Sequence, residues 1–275
     1  MNNFLLAVRS SFGFLSTIPV GITMEGLDEF FKRTYLHILV GIVLGLIIGA
    51  VAFVLELFLS AQLSAVFIVI FVYYLTGLNH LDGIADLGDG MTAHGSREKK
   101  LKALKDMSLG IGGVAFTVLT LLAFYAALVS LQAEAALSST SVTNMAVIIF
   151  ISMFVAEVSA MQSMLTTAAF GKSIHEGLGS ILVDNTTMLK YLLGFVMGII
   201  ACTIAFWIIG IPLAGVIAFL AAILATFVLL NISNRHFGGV NGDVIGSSNE
   251  VGRVIALIAI YLVLKYDIGG IVWTL

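Results

Sequence analysis

Seven long apolar stretches constrain the fold of this 275-residue chain more than any other feature. A helix needs about 20 mostly apolar residues to cross the hydrocarbon core of a bilayer. The stretches that approach this length are residues 35–59, 63–78, 111–131, 147–169, 189–209, 213–232 and 254–275. Barrel strands would alternate with period two, and an open sheet would leave backbone groups unpaired in lipid. We therefore predict an all-α, polytopic integral membrane helical bundle with about seven transmembrane helices.

The composition agrees with a lipid environment and excludes several classes of protein. Hydrophobic residues make up 60% of the chain and charged residues 11%, far from the values of soluble domains. The net charge of −3 offers no basic surplus for nucleic acid. The single cysteine, Cys202, excludes an intrachain disulfide and a cysteine-based metal cluster. Residues 4–18 form a shorter apolar stretch interrupted by Arg9, for which we expect an interfacial or re-entrant helix.

The distribution of basic residues predicts the orientation. If the N-terminus lies in the cytoplasm, threading seven spans puts twelve of the 13 Lys and Arg residues on the cytoplasmic side, with only Lys265 opposite. Most acidic residues fall on the same side. We expect a multi-pass protein of the cell (inner, cytoplasmic) membrane, built as one membrane domain over residues 1–275. Its active-site loops are predicted at residues 79–110 and 234–253, facing the cytoplasm.

The first of these loops contains three carboxylates in helical register. Asp82, Asp86 and Asp89 stand at i, i+4 and i+7, so a continuing helix would place them on one face, where they repel each other. Carboxylate oxygens are hard ligands that suit Mg²⁺, or Mn²⁺, better than Zn²⁺. Because Mg²⁺ usually binds through a few carboxylates plus substrate phosphates, the pattern predicts a magnesium site for a phosphate or diphosphate substrate. The alternative is a solvated charged loop beside the membrane.

Two families share motifs with this segment. Residues 86–94 (DLGDGMTAH) resemble the start of the CDP-alcohol phosphatidyltransferase signature, but His94 replaces its arginine, Ala103 its glycine, and Asp106 falls one residue early. A closer resemblance, over nearly the whole chain, is to the adenosylcobinamide-GDP ribazoletransferase (cobalamin synthase) family. Its motifs match FLSTIP at 14–19, HLDGIADLGDG at 80–90, KDMSLGIG at 105–112, EGLG at 176–179 and GVNGDVIGSSNE at 239–250. The chain departs from this pattern near Glu157 and at residues 169–171.

This resemblance implies that adenosylcobinamide-GDP is joined to α-ribazole, or to its 5′-phosphate, with release of GMP. The partners would then be these small molecules and membrane lipid, and the oligomeric state, a homo-oligomer included, stays open. The base that takes the ribazole proton would be Asp106, His80 or His94. We favour Asp106, which could equally be a fourth metal ligand, while His80 could equally orient Asp82 or be an interfacial residue. Lys105 is the predicted phosphate contact.

The second polar cluster lies in residues 234–253. Asp243 and Glu250 are seven residues apart and share a face if Gly246 opens a helix. Together with Asn241 and Asn249 they would contact the ribazole or complete the metal site. The alternative is an ordinary capped junction between a loop and a helix.

Two other functions were weighed against this one. A phospholipid synthase that uses a CDP-alcohol fits the imperfect signature less well. A cation-coupled transporter would use Glu157, an acid inside a predicted span, to line an ion path. The acids gather at one membrane face, however, and no inverted repeat is visible.

Overall fold

The computed structural model describes residues 3–106 and 108–268, and in this part of the chain every regular element is a helix. The helices are, in chain order, α1 (Asn3–Leu15), α2 (Met24–Phe31), α3 (Leu36–Phe58), α4 (Ala61–Thr76), α5 (Asn79–Thr92), α6 (Arg97–Leu104), α7 (Ile111–Leu137), α8 (Val142–Phe170), α9 (Leu178–Asn185), α10 (Met188–Trp207), α11 (Pro212–His236) and α12 (Gly242–Lys265). The predicted all-α membrane fold is confirmed.

Within the described residues, six helices are long and apolar enough to cross a membrane, namely α3, α7, α8, α10, α11 and α12. A seventh span is reached by counting α4 and α5 as one bent pair. The axis turns by 98° between these two helices, at Gly77, whose φ of 77° lies in the left-handed region. A residue without a side chain adopts that conformation at little cost. The bend turns α5 away from the direction of the apolar helix α4.

Helix α8 forms the centre of the bundle. Of the residues in its most apolar 18-residue stretch, 78% are buried, whereas the corresponding share for α7 is 22%. Helix α8 packs against α3, α10, α11 and α12. Three glycines spaced by four residues let α3 approach it closely, since a Cβ on Gly45 would lie 2.9 Å from the Phe154 carbonyl oxygen. Small residues at such a spacing are a common device for packing helices in membranes, where lipid offers no hydrophobic drive between them.

The last predicted span needs correction. We expected residues 254–275 to cross the membrane, but α12 begins at Gly242 and ends at Lys265, and residues 269–275 lie outside the described residues. The predicted loop 234–253 is therefore mostly helix, with the connection between α11 and α12 confined to residues 237–241. Hydropathy places the start too late because the first turns of α12 are polar but buried. The predicted loop 79–110 is likewise largely occupied by α5 and α6.

The segment that follows the N-terminal helix α1 is bonded to the end of α4, close to the bend into α5. Helix α1 has 13 residues and is too short to span, as predicted. After it, the Thr17 backbone N–H donates to the Leu75 carbonyl at 2.8 Å, and the Thr17 hydroxyl donates to the Tyr74 carbonyl at 2.7 Å. These bonds attach the N-terminal segment to the last turn of α4. The polar connections α4–α5, α6–α7, α8–α9 and α11–α12 lie at the same end.

Candidate active site

A cavity of about 690 Å³ opens at this polar end of the bundle. We call it the carboxylate cavity. Four segments form its wall: α5, the end of α6 with the residues that follow it, the start of α9 with the residues before it, and the start of α12. The lining residues are Asp82, Asp86, Leu104, Lys105, Asp106, Leu109, His175, Gly177, Leu178, Gly179, Asn241, Gly242 and Asp243.

Helix α5 supplies two of the carboxylates. Asp82 and Asp86 are one turn apart and both line the cavity, as their spacing predicted. Gly83 lies between them and packs against α12, where an added Cβ would come within 2.6 Å of the Asp243 carbonyl oxygen. The absence of a side chain thus lets the two backbones touch. This contact places Asp243 across the cavity from the α5 carboxylates.

The charges of the cavity are strongly unbalanced. In the described residues its wall holds four carboxylates (Asp82, Asp86, Asp106 and Asp243) and one lysine, Lys105. Asp82, Asp89 and Asp243 all lie close enough to Asp86 to repel its charge. Carboxylates held together in this way lower their repulsion by binding a cation or a proton. The cavity is therefore suited to a ligand that carries a metal ion.

Asp89 has a different position from the other two acids of α5. It is absent from the cavity lining, and its two carboxylate oxygens accept hydrogen bonds from Gly110 N–H at 2.7 Å and Gly113 N–H at 2.8 Å. These N–H groups belong to the start of α7, where backbone donors have no partner within the helix. Asp89 thus caps α7, and its negative charge complements the helix dipole.

Asp106 lies in the connection between α6 and α7. Its Oδ1 accepts a hydrogen bond from the Ser108 backbone N–H at 3.0 Å. That bond favours the charged form, so the pKa of Asp106 is lowered from its ordinary value. Asp106 is therefore ionised at neutral pH, next to Lys105 on the cavity wall.

Asn241 and Asp243 form the start of α12. The Asn241 side chain caps the helix by accepting from Val244 N–H at 3.1 Å, and its amide donates to Asp243 Oδ2 at 2.6 Å. One side chain thereby ends the α11–α12 connection and orients a cavity carboxylate. Both predicted residues lie on the cavity wall.

The three remaining predicted residues lie outside the cavity lining. His80, near the start of α5, is buried, and Asn249 and Glu250 on α12 have no exposed surface. Glu250 accepts a hydrogen bond from the Tyr73 hydroxyl at 2.8 Å and pairs with Arg253, also at 2.8 Å. Asp243 and Glu250 do belong to one helix, but that helix begins at Gly242 and not at Gly246 as predicted, and Glu250 is buried in the bundle.

Comparison with known proteins identifies the family. The family model described as cobalamin-5-phosphate synthase matches residues 7–261. The chain belongs to the cobalamin-5-phosphate synthase family. It is 56% identical to a protein of Methanococcoides burtonii over 100% of this chain and 99% of that protein, and 51% identical to one of Methanosarcina mazei over 100% of both. A protein of Pyrococcus furiosus is 32% identical over 69% of this chain and 74% of its own length.

All three relatives bear the name adenosylcobinamide-GDP ribazoletransferase. No solved structure gives a significant match. The suspected resemblance is thus confirmed, and the chain is a transferase of cobalamin biosynthesis, as other members of the cobalamin-5-phosphate synthase family are.

The wall of the cavity also contains residues for which the sequence predicted no role. Residues 177–179 were matched to a family motif, and they form part of the wall. Gly179 packs so tightly on α12 that a Cβ would lie 2.6 Å from the Gly242 nitrogen. His175, two residues before this motif, also lines the cavity. Its place beside the motif was the only available signal.

The oxygen-only acidic donors of the cavity fit Mg²⁺, although they do not form a closed metal site. Among residues 3–106 and 108–268, no three His, Cys, Asp or Glu side chains are grouped closely enough to hold a metal ion. Mg²⁺ in enzymes of this chemistry commonly takes one or two carboxylates, with substrate phosphates and water as the remaining ligands. Asp82 and Asp86, one turn apart on the wall, meet that requirement.

Proposed function

We propose that the protein is a Mg²⁺-dependent transferase that joins adenosylcobinamide-GDP to α-ribazole or α-ribazole 5′-phosphate. The products are adenosylcobalamin, or its 5′-phosphate, and GMP. The observation that carries this proposal is the carboxylate cavity, which gathers four acids and a lysine from distant parts of a chain of this family. The names of the relatives supply the substrate class.

The reaction is a substitution at phosphorus. A ribose hydroxyl of the ribazole attacks the phosphorus nearer to the cobinamide, a P–O bond forms, and the P–O bond to GMP breaks with its electron pair going to GMP. Enzymes accelerate such a transfer mainly by positioning and by stabilising charge. Lys105, the one cation of the described cavity wall, neutralises charge on the guanylyl phosphates.

In this proposal Asp82 and Asp86 hold Mg²⁺ together with the diphosphate, since both line the cavity and both offer hard oxygen ligands. When bound, the metal ion offsets the negative charge of the phosphate oxygens. Asp243 and Asn241, on the facing wall, bind polar groups of the ribazole. The hydrogen bond from Asn241 holds the Asp243 carboxylate in place for this purpose.

We also infer the location and orientation. The protein spans the cell membrane, with the carboxylate cavity on the cytoplasmic face. The support is the charge asymmetry of the connections, since Lys and Arg concentrate on the side of the cavity. Helix α6, with four of its eight residues Lys or Arg, lies beside the cavity mouth. Soluble nucleotide substrates reach a site in this position without crossing the bilayer.

The test uses the purified full-length protein in liposomes, supplied with Mg²⁺, adenosylcobinamide-GDP and α-ribazole or its 5′-phosphate. We expect stoichiometric release of GMP and formation of the cobalamin product, both measured by chromatography. Removal of divalent ions with EDTA should stop the reaction, and added Mg²⁺ should restore it. If neither ribazole substrate gave product, the proposed function would be contradicted. Activity that survives chelation would contradict the metal requirement.

A further inference from the structure

An apolar groove between α5 and α7 adjoins the carboxylate cavity. Its volume is about 340 Å³, and we call it the α5–α7 groove. Asp82 and Leu109 line both the groove and the carboxylate cavity. The groove therefore continues the proposed active site and begins beside one of its carboxylates. The residues along it are Leu78, Leu81, Asp82, Ala85, Leu109, Val114, Thr117 and Val118.

Two helix faces form the walls of the groove. Positions 78, 81, 82 and 85 recur at intervals of three and four residues along α5, as do positions 114, 117 and 118 along α7, so each set lies on one face of its helix. The helices touch beside the groove, where a Cβ on Gly113 would lie 2.8 Å from the Ala85 carbonyl oxygen. The hydrogen bond from Gly113 N–H to Asp89 joins the same two helices. The walls are thus held at a fixed separation.

The groove suits a flat apolar ligand of modest size. Six of the eight described residues that line it are aliphatic, and contact with them removes apolar ligand surface from water. Sites for small molecules have volumes of about 300 to 1,000 Å³, so a groove of about 340 Å³ is at the small end of that range. A bicyclic aromatic base fits such a space better than a corrin macrocycle does.

The position of Asp82 favours a substrate group over a lipid chain. The proposed reaction requires a ribose hydroxyl next to the diphosphate held at Asp82 and Asp86. The aromatic base is attached to the same ribose, so it must lie close to Asp82, where the groove begins. A hydrocarbon chain in that place would cover a carboxylate without offering it a hydrogen bond, which is a costly arrangement.

We propose that the α5–α7 groove is the subsite for the dimethylbenzimidazole base of α-ribazole, and that it selects nucleosides with an apolar, methylated base. This inference rests on the proposed function and adds a specificity-determining surface to it. The two methyl groups contact Val114 and Val118. The ribose stays in the carboxylate cavity, where Asn241 and Asp243 bind its polar groups.

The activity test compares α-ribazole with the same nucleoside lacking both methyl groups. One such group in an apolar pocket changes kcat/KM by about 10- to 200-fold, so we expect the wild type to favour α-ribazole by about tenfold or more. Val118→Phe fills the groove and should reduce this preference to below about threefold, with an unchanged KM for adenosylcobinamide-GDP. An unaltered preference in Val118→Phe would overturn the proposal.

Leu119→Phe is the matched control for this substitution. Leu119 is the next residue of α7, is also exposed, and lines a separate groove between α7 and α12. We expect Leu119→Phe to keep the wild-type preference for the methylated base. An equal loss of preference in both variants would mean that bulk anywhere on this part of α7 disturbs the site, and it would overturn the assignment of the groove.

A second measurement does not depend on turnover. Cys202 is the single cysteine of the chain and is buried, so a cysteine introduced on the surface is the thiol that a maleimide reagent reaches. Val114→Cys places this thiol on the groove. Ala115→Cys places it one residue further along α7, at an exposed position outside the groove lining. Saturating α-ribazole should slow the labelling of Val114→Cys severalfold and leave that of Ala115→Cys unchanged.

The two measurements separate failure of this inference from failure of the proposed function. If the wild type forms product but α-ribazole does not protect Val114→Cys, the base lies elsewhere, membrane lipid occupies the groove, and this inference alone fails. If the wild type forms no product, the proposed function fails, and the protection of Val114→Cys still decides whether the groove binds the aromatic base.

Discussion

Arg253 on α12 donates from Nε to Glu157 Oε2 on α8 at 3.0 Å, and neither side chain has any surface exposed. The same guanidinium pairs with Glu250 at 2.8 Å and donates to Asn249 Oδ1 at 2.7 Å. Glu250 is in turn bonded to Tyr73 on α4. One arginine therefore joins three helices of the core, and it explains why two acids can lie inside a membrane bundle.

The first prediction concerns this arginine. Arg253→Leu leaves two buried carboxylates without a cation, so we expect a loss of about 3–5 kcal/mol, the usual cost of removing one partner from a buried ion pair. Glu157→Gln is the matched variant and should cost much less, because one carboxylate and Arg253 remain paired. The measurement is the unfolding midpoint in detergent. Equal midpoints for the two variants would contradict the role of Arg253.

The second prediction separates the proposed metal ligands from neighbouring acids. Asp86→Asn removes a charge from the cavity wall and should lower kcat by about two orders of magnitude or more, with an unchanged unfolding midpoint. Asp184→Asn is the control, since Asp184 is exposed on α9 and does not line the cavity. Turnover and its dependence on Mg²⁺ concentration are measured together. Near-normal turnover in Asp86→Asn would refute the assignment.

The third prediction distinguishes a capping residue from a metal ligand. Asp89→Ala removes the acceptor for Gly110 and Gly113 N–H, so we expect a loss of stability of about 1–2 kcal/mol, the range for deleting a helix cap. Activity should fall with the fraction of folded protein and keep its Mg²⁺ dependence. If Asp89→Ala abolished turnover without lowering the unfolding midpoint, the carboxylate would belong to the metal site instead.

The fourth prediction tests the close contact between α5 and α12. In Gly83→Ala the new Cβ would lie 2.6 Å from the Asp243 carbonyl, a backbone atom that cannot rotate away. We expect a loss of about 1–3 kcal/mol from overpacking, with lower kcat because the facing carboxylates move apart. A Cβ on Gly242 meets no atom within 4 Å, so Gly242→Ala should keep the wild-type unfolding midpoint. A stable, fully active Gly83→Ala would show that the spacing is unimportant.

The fifth prediction concerns the lysine of the cavity. Lys105→Ala should raise the KM for adenosylcobinamide-GDP by about tenfold, the value of one charge-assisted hydrogen bond, and leave the KM for the ribazole nearly unchanged. Lys99 is exposed on α6 and absent from the cavity lining, so Lys99→Ala provides the control. Initial rates with each substrate varied in turn give both constants. An equal rise in the two KM values would argue against a specific phosphate contact.

Hydropathy predicted most of the bundle because a span must satisfy its backbone within itself and show apolar side chains to lipid. Residues 35–59 were expected to span, and α3 runs from Leu36 to Phe58. The start of α12 was missed for the same reason, since its buried face is polar. Asn249, Glu250 and Arg253 satisfy each other inside the protein, and window hydropathy cannot recognise such partners.

The amino-acid sequence by itself determined the helical membrane class, the family, and the shared face of Asp82 and Asp86, because these depend on composition, motif order and the period of one helix. Only the tertiary structure decided which acids meet. Asp243 joins the cavity because Gly83 admits α12, whereas Asp89 is occupied by the start of α7 and Glu250 by Arg253. Likewise His175 reaches the cavity through backbone pairing with Val240, 65 residues further along the chain. Contacts between distant segments depend on packing, which local spacing does not contain.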